Sequence, residues 1–232
     1  MSQAQRAIVD WFDATYRRKG TGYLRPLEAY YVFVELLGAR PQHRLLDVAC
    51  GPGVLLRAAS KYTDELHGID ISPVAIAQGR AAIPEAALVV GNAQRLPYAD
   101  GRFDLITCLG SLERMLDVTQ ALREMRRVGA ATAKYCFLVR NSNSFGWKYW
   151  APITSRYRAK GHAGADTLTN WRRLFESQGL KVTSVWPDQY PLHRRKRWSS
   201  LGLRAVDFRK PIVSAARLET ANEFVFVLEK AP

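Results

Sequence analysis

The chain is short of acidic residues, of cysteine and of long apolar runs, and each shortage excludes something. No uninterrupted apolar stretch reaches the roughly 18 residues that a membrane-spanning helix needs. The opening MSQAQRAIVDWFD carries acids and no apolar h-region, which argues against a secretory signal and for the cytoplasm. The three cysteines, Cys50, Cys108 and Cys136, are an odd set in apolar surroundings, expected as buried free thiols of a reducing compartment. Neither a CxxC nor an HxxxH spacing occurs among them and the four histidines, so no metal site is expected. The acid shortage is the largest departure: 21 Asp and Glu against 34 Lys and Arg leave a formal charge of +13, which favours an anionic partner such as a charged substrate, an anionic membrane surface or nucleic acid.

What is present reads as one α/β domain over residues 1–232, with no internal repeat. Two amphipathic helices fill residues 1–40 and are expected to form a lid. From there apolar strands at 44–48, 65–70, 87–90, 103–109 and 134–140 alternate with helical patterns at 54–62, 73–82 and 119–128. A helix at 168–178 and strands at 180–186 and 223–229 follow. Strands separated by helices imply a parallel, doubly wound, Rossmann-like sheet. The seventh strand follows the sixth without a helix and should run antiparallel to it, since a parallel return needs a crossover.

The first strand leaves through an unusual turn. In LLDVACGPGVLL, residues 45–56, an apolar run reaches Asp47 and then passes through Ala49, Gly51, Pro52 and Gly53 with almost no side chain to pack. Ligands of open α/β sheets bind beyond the carboxyl ends of the strands, and glycine there lets a ligand approach the backbone. Asp70 ends the second strand 19 residues after Gly51, a place from which a carboxylate can accept both hydroxyls of a ribose. A dinucleotide fits poorly: Leu56 stands where a third glycine would be, and Asp47 would repel a pyrophosphate but attract an ammonium group.

Further segments recur in order: Gly68-Ile69-Asp70-Ile71-Ser72, Gly91-Asn92-Ala93 with Leu96-Pro97-Tyr98, Phe103-Asp104-Leu105-Ile106, and Gly110-Ser111-Leu112-Glu113-Arg114. Together with the glycine turn they resemble the class I S-adenosylmethionine-dependent methyltransferases, over about residues 43–140. The resemblance implies S-adenosylmethionine as cofactor. It implies that Asp47 and the backbone of Ala49, Gly51 and Gly53 follow the methionine part, that Asp70 takes the ribose and that Ile71 packs on the adenine. Asn92 and Ala93 then fall at the adenine edge, and Leu109 with Gly110 on the methionine side. Two positions depart from the family pattern: Ala49, where glycine is frequent, and Arg114, where histidine is frequent.

The acceptor should enter from the same edge, where two long inserts lie, 141–166 and 187–221. Residues 140–160 carry five cations and no acid, and residues 194–217 eight cations against Asp207, with aromatics interleaved. This points to a small-molecule or lipid-linked acceptor, anionic or amphiphilic and methylated at oxygen or nitrogen, with an anionic membrane surface as a further partner. Asn141 and Tyr190 are the candidate orienting groups and His193 the candidate base; the arginines around His193 would depress its pKa and keep it neutral. Two alternatives share the fold. Nucleic acid is the less favoured acceptor, because Cys108-Leu109-Gly110-Ser111 lacks the aromatic that sandwiches a flipped base. The other is a non-methylating enzyme that cleaves or cyclises the aminocarboxypropyl arm of the cofactor.

Overall fold

A computed structural model describes residues 2–150, 164–188 and 218–231, without the side chain of Trp150. The first helix, α1 (Gln3–Lys19), starts in a capping box between Ser2 and Gln5 and ends at Gly20. A second, α2 (Tyr31–Leu37), follows a single 3-10 turn. Strands β1 (Arg44–Val48), β2 (Glu65–Asp70), β3 (Ala87–Val90) and β4 (Phe103–Leu109) alternate with α3 (Val54–Ala59) and α4 (Pro73–Ala82). Then come α5 (Val118–Val128), β5 (Gly129–Arg140), α6 (Leu168–Ser177), β6 (Leu180–Pro187) and β7 (Glu223–Lys230).

The seven strands form one sheet in the order β3-β2-β1-β4-β5-β7-β6. The first five run parallel, and β7 lies antiparallel between β5 and β6. Side chains alternate across the sheet as a two-residue period requires. Leu46, Val48, Tyr135, Phe137 and Val139 face α5 and α6, where they meet Met125, Trp171 and Phe175. Leu45, Cys136, Leu138 and Val225 face the opposite layer with Phe33, Leu55 and Ile76. The cysteines are all free and buried, Cys136 within that second layer.

Three boundaries differ from the sequence reading. Helix α3 stops at Ala59, because the N–H groups of Tyr62 and Thr63 both turn back to the Ala59 carbonyl. Strand β5 begins at Gly129 instead of 134, since the small residues of GAATA continue directly from α5 without the alternation that marks a strand. The lid is also smaller than residues 1–40. Phe33, Val34 and Leu37 of α2 are fully buried core, so only α1 and the loop after it stand over the carboxyl edge of the sheet.

Strand order places the ends of β1 and β4 side by side at the point where the chain's winding reverses. A crevice opens there. Phe137, wholly buried on the interior strand β5 beside β4, belongs to the core under that edge. Phe137→Ala should cost about 3–5 kcal/mol, read as a lowered urea midpoint with an unchanged slope.

Candidate active site

At the end of β1 the Asp47 carboxylate is buried at 4% exposure. It accepts one hydrogen bond, from the Thr107 hydroxyl of neighbouring β4, at 2.7 Å. Burial pushes its pKa up to about 7, the Thr107 bond opposing and Asp70 adding. Asp70 at the end of β2 is also buried, but each of its oxygens accepts a backbone N–H: Gly51 to Oδ2 at 2.8 Å and Ser72 to Oδ1 at 2.8 Å. Its pKa rises to about 6, burial outweighing those two bonds. Two buried carboxylates short of partners form a site that awaits a cation and hydroxyl donors.

The loop between them is strained at one place. Ala49 has φ of 59°, the only non-glycine residue with positive φ among those described, and lies in the left-handed region where Cβ crowds the carbonyl. Gly51, at φ 55°, has a second reason to lack a side chain: a Cβ there would stand 2.6 Å from the Tyr16 hydroxyl. Gly53, at φ 77°, begins α3, and a Cβ on it would meet Ile83 at 2.9 Å. Gly51 is therefore shaped by the lid and the crevice, and Gly53 by core packing.

Helix α1 closes the crevice from above. Asp13 accepts a short hydrogen bond from the Ser72 hydroxyl and a longer one from Val74 N–H at 3.4 Å, so the lid is tied to the N-terminus of α4. Gln78 Nε2 adds a bond to the Tyr16 carbonyl at 3.2 Å. The Tyr16 phenol packs 5.5 Å from Tyr23, centroid to centroid. Burial, with Asp70 adding, pushes Tyr16 above the ordinary tyrosine range, and burial takes Tyr23 up to about 12.

The far end of the crevice is built from arginines. Arg25, in the loop after α1, makes a bidentate pair with Asp188 at 2.8 Å and a bond to Glu223 at 2.7 Å. Arg140 pairs with the fully buried Glu113 carboxylate at 2.9 Å and reaches Glu223 at 3.7 Å. Burial raises the Glu223 pKa against the pull of Arg25 and Arg140. Removing one partner from such a set leaves a buried charge exposed to nothing, a cost of about 3–5 kcal/mol. Arg114 lies over the Phe12 ring of α1, 5.4 Å from its centroid. Burial pulls its pKa down from the usual value, Glu113 opposes and Arg140 adds.

The crevice has a volume of about 980 Å³. That is the top of the range for a single drug-sized ligand and gives room for a cofactor and an acceptor together. One end is lined by Asp47, Gly51, Asp70, Ile71, Asn92 and Ala93, the other by Trp11, Phe12, Arg114, Arg140 and Trp147.

A family model described as a methyltransferase domain matches residues 46–137. A demethylmenaquinone methyltransferase from Beutenbergia cavernae is 32% identical over 180 residues, covering 74% of this chain and 72% of that protein. A ubiquinone/menaquinone biosynthesis C-methyltransferase from Cupriavidus necator is 33% identical over 202 residues, covering 81% and 78%. The chain belongs to the S-adenosylmethionine-dependent methyltransferase family. The fold agrees with that of a geranyl diphosphate C-methyltransferase from Streptomyces coelicolor A3(2), solved with Mg2+, geranyl diphosphate and S-adenosylhomocysteine. The TM-score is 0.71 at 15% identity, over 99% of both chains.

S-adenosylmethionine is this methyltransferase's cofactor, and the acidic end of the crevice fits it. An under-partnered Asp47 suits an ammonium group, and the outward lone pairs of Asp70 suit two hydroxyls. Of the residues read from the sequence, Asp47, Ala49, Gly51, Asp70, Ile71, Asn92, Ala93 and Leu109 all line the cavity; Gly53 does not. Asn92 Oδ1 is partly spent on Gln94 N–H at 2.9 Å.

Asn141 requires a correction. Its side chain is fully buried behind the crevice wall, donating to the carbonyls of Glu219 and Ala221 at 2.8 Å and accepting from Asn143 N–H at 2.9 Å. With its amide so occupied, it pins the start of one insert to the end of the other and cannot orient an acceptor. Tyr190 and His193 lie outside the described residues.

Sequence reasoning missed Asp13, Thr107, Arg25 and Glu223. Asp13 had a signal, an acid on the apolar stripe of α1 between Phe12 and Tyr16. Ala49→Gly should relieve the left-handed strain, about 1 kcal/mol, seen as a rise in melting temperature of about 2–4 °C.

Proposed function

We propose that this methyltransferase modifies a small amphiphilic acceptor with an acidic hydroxyl, of phenol or enol type, whose own ionisation supplies the nucleophile. The observation that carries this reading is the change of character along one cavity, from two under-partnered carboxylates to a lining in which Arg18, Lys19, Arg25, Arg114 and Arg140 outnumber Glu223 among aromatic rings. The acidic end takes the cofactor's ammonium and ribose groups, and the basic end takes an anion on an apolar body. The names of the quinone-pathway relatives support a ring-bearing acceptor methylated at carbon, and an ionised hydroxyl activates either its own oxygen or a ring carbon beside it.

The bound cofactor supplies an activated methyl group on a sulfonium. The protein's part is to align the acceptor, exclude water and hold its negative charge. Among the described residues no histidine lines the cavity. Tyr16 and Tyr23 are pushed to high pKa and stay protonated, and Glu223 is ion-paired. Asp47 and Asp70 are assigned to the cofactor, and among the described residues of the other end no further base lines the cavity, so Arg114 is the group assigned to keep the acceptor ionised, from a place just beyond Gly110 and Ser111.

The test is transfer of labelled methyl from S-adenosylmethionine into a cell extract, followed by mass spectrometry of the labelled product. A labelled amphiphile bearing a phenol or enol is expected; label confined to RNA would overturn the reading. Arg114→Gln should lower kcat/KM by about 10²–10³ and move the rising limb of the pH profile upward, because a lost cation raises the acceptor's pKa. Affinity for S-adenosylhomocysteine should stay within about twofold of the wild type, since Arg114 is assigned to the acceptor end.

Cofactor binding should itself depend on pH. In the free protein Asp47 has a pKa of about 7 and Asp70 of about 6, both above the usual carboxylate range. The ligand favours both ionised forms, so binding expels protons below those values. Affinity for S-adenosylhomocysteine, measured by calorimetry, should be full above pH 7 and fall by about tenfold per unit just below it, more steeply below pH 6. Asp47→Asn should weaken binding and flatten the upper part of that slope.

A further inference from the structure

The geometry points to an anionic lipid bilayer as a partner of this protein, docked on the rim of the crevice so that the mouth opens towards the lipid. Among the described residues four large apolar side chains stand exposed: Val90 at 49%, Leu116 at 53%, Phe145 at 61% and Tyr149 at 54%. All four lie at or beyond the carboxyl ends of strands. Val90 closes β3, Leu116 follows the 3-10 turn after β4, and Phe145 and Tyr149 follow β5. Stray exposed apolar groups are ordinary, but they scatter over a surface; these share one edge, and it is the edge with the cavity.

Phe145, just before the π-helical turn Gly146–Trp150, and Tyr149 within it have ring centroids 5.0 Å apart. Between them in sequence, Trp147 lines the cavity, as does Leu116. Cations accompany the rings. Lys148 Nζ lies 5.9 Å from the Tyr149 centroid. Arg17, Arg18 and Lys19 end α1 in exposed positions, and Arg18 and Lys19 reach the cavity. Of the exposed acids close by in the chain, Asp117 is occupied in capping α5 through Gln120 N–H at 2.8 Å, and Asp10 lies two turns before the basic end of α1.

Aromatic and aliphatic groups ringed by Lys and Arg are what an interfacial surface needs: apolar tips for the acyl boundary and cations for the headgroups. The net charge of +13 complements an anionic leaflet. A polyanion such as RNA would also draw the cations and stack on the rings, but it would leave Leu116 and Val90 without gain. A bilayer takes both kinds of group. Docked this way, the protein admits an acceptor from lipid without its crossing water, and the inference holds whatever atom is methylated.

Co-sedimentation of the full chain with extruded vesicles tests it. The protein should pellet with phosphatidylglycerol–phosphatidylcholine vesicles, much less with phosphatidylcholine alone, and salt should release only part of it. Replacing both rings, Phe145→Ser with Tyr149→Ser, should weaken partitioning by about tenfold or more, and Lys148→Glu by about tenfold or more. Calorimetry with S-adenosylhomocysteine should be unchanged in both variants, which separates lost docking from lost folding or a wrong cofactor site. Wild-type protein that stays in the supernatant, variants that pellet like the wild type, or retention on an RNA oligonucleotide without vesicle binding would each overturn the proposal.

Discussion

Two hydrogen bonds hold the acidic end of the crevice together: Gly51 N–H and Ser72 N–H, each donated to one oxygen of the buried Asp70 carboxylate. They join the loop after β1 to the start of α4, the two turns that flank the crevice. They also satisfy only half of what a carboxylate can accept. Asp70, the strained Ala49 and Asp47 line the same cavity, where the remaining lone pairs can meet a ligand. A buried acid pair is costly to leave without partners, and hydroxyls and a positive charge are what would satisfy it.

The lid depends on the same constraint. Asp13 reaches Ser72, whose N–H is already committed to Asp70, and Tyr16 fits over Gly51 because that residue has no Cβ. Helix α1 is thus in direct contact with the loop after β1 and the start of α4. At the other end Arg25 ties the segment after α1 to Asp188 and Glu223 on the far side of the sheet. Between these two ties Trp11, Phe12 and Tyr16 of the lid line the cavity.

Much of this was legible in the chain. Alternating apolar residues marked the strands, the lack of a helical pattern between the sixth and seventh strands pointed to an antiparallel last strand, and Asp47, Gly51 and Asp70 could be placed at strand ends. Each of these rests on spacing within a few residues, which backbone geometry converts directly into position. The extent of the lid, the role of Asn141 and the reason for Gly53 were not legible. An asparagine after a strand looks the same whether it faces a substrate or, as here, bonds two carbonyls about 80 residues away.

The sequence by itself determined the sheet, the switch point and the two aspartates, because periodicity and turn chemistry are local. Tertiary structure alone decided what meets those aspartates: Asp13 arrives from 59 residues before Ser72, and Arg25 finds Asp188 across 163 residues. Nothing in a local pattern encodes such pairs. They follow from which faces must be buried first, and only then do the polar groups left at the edges find one another.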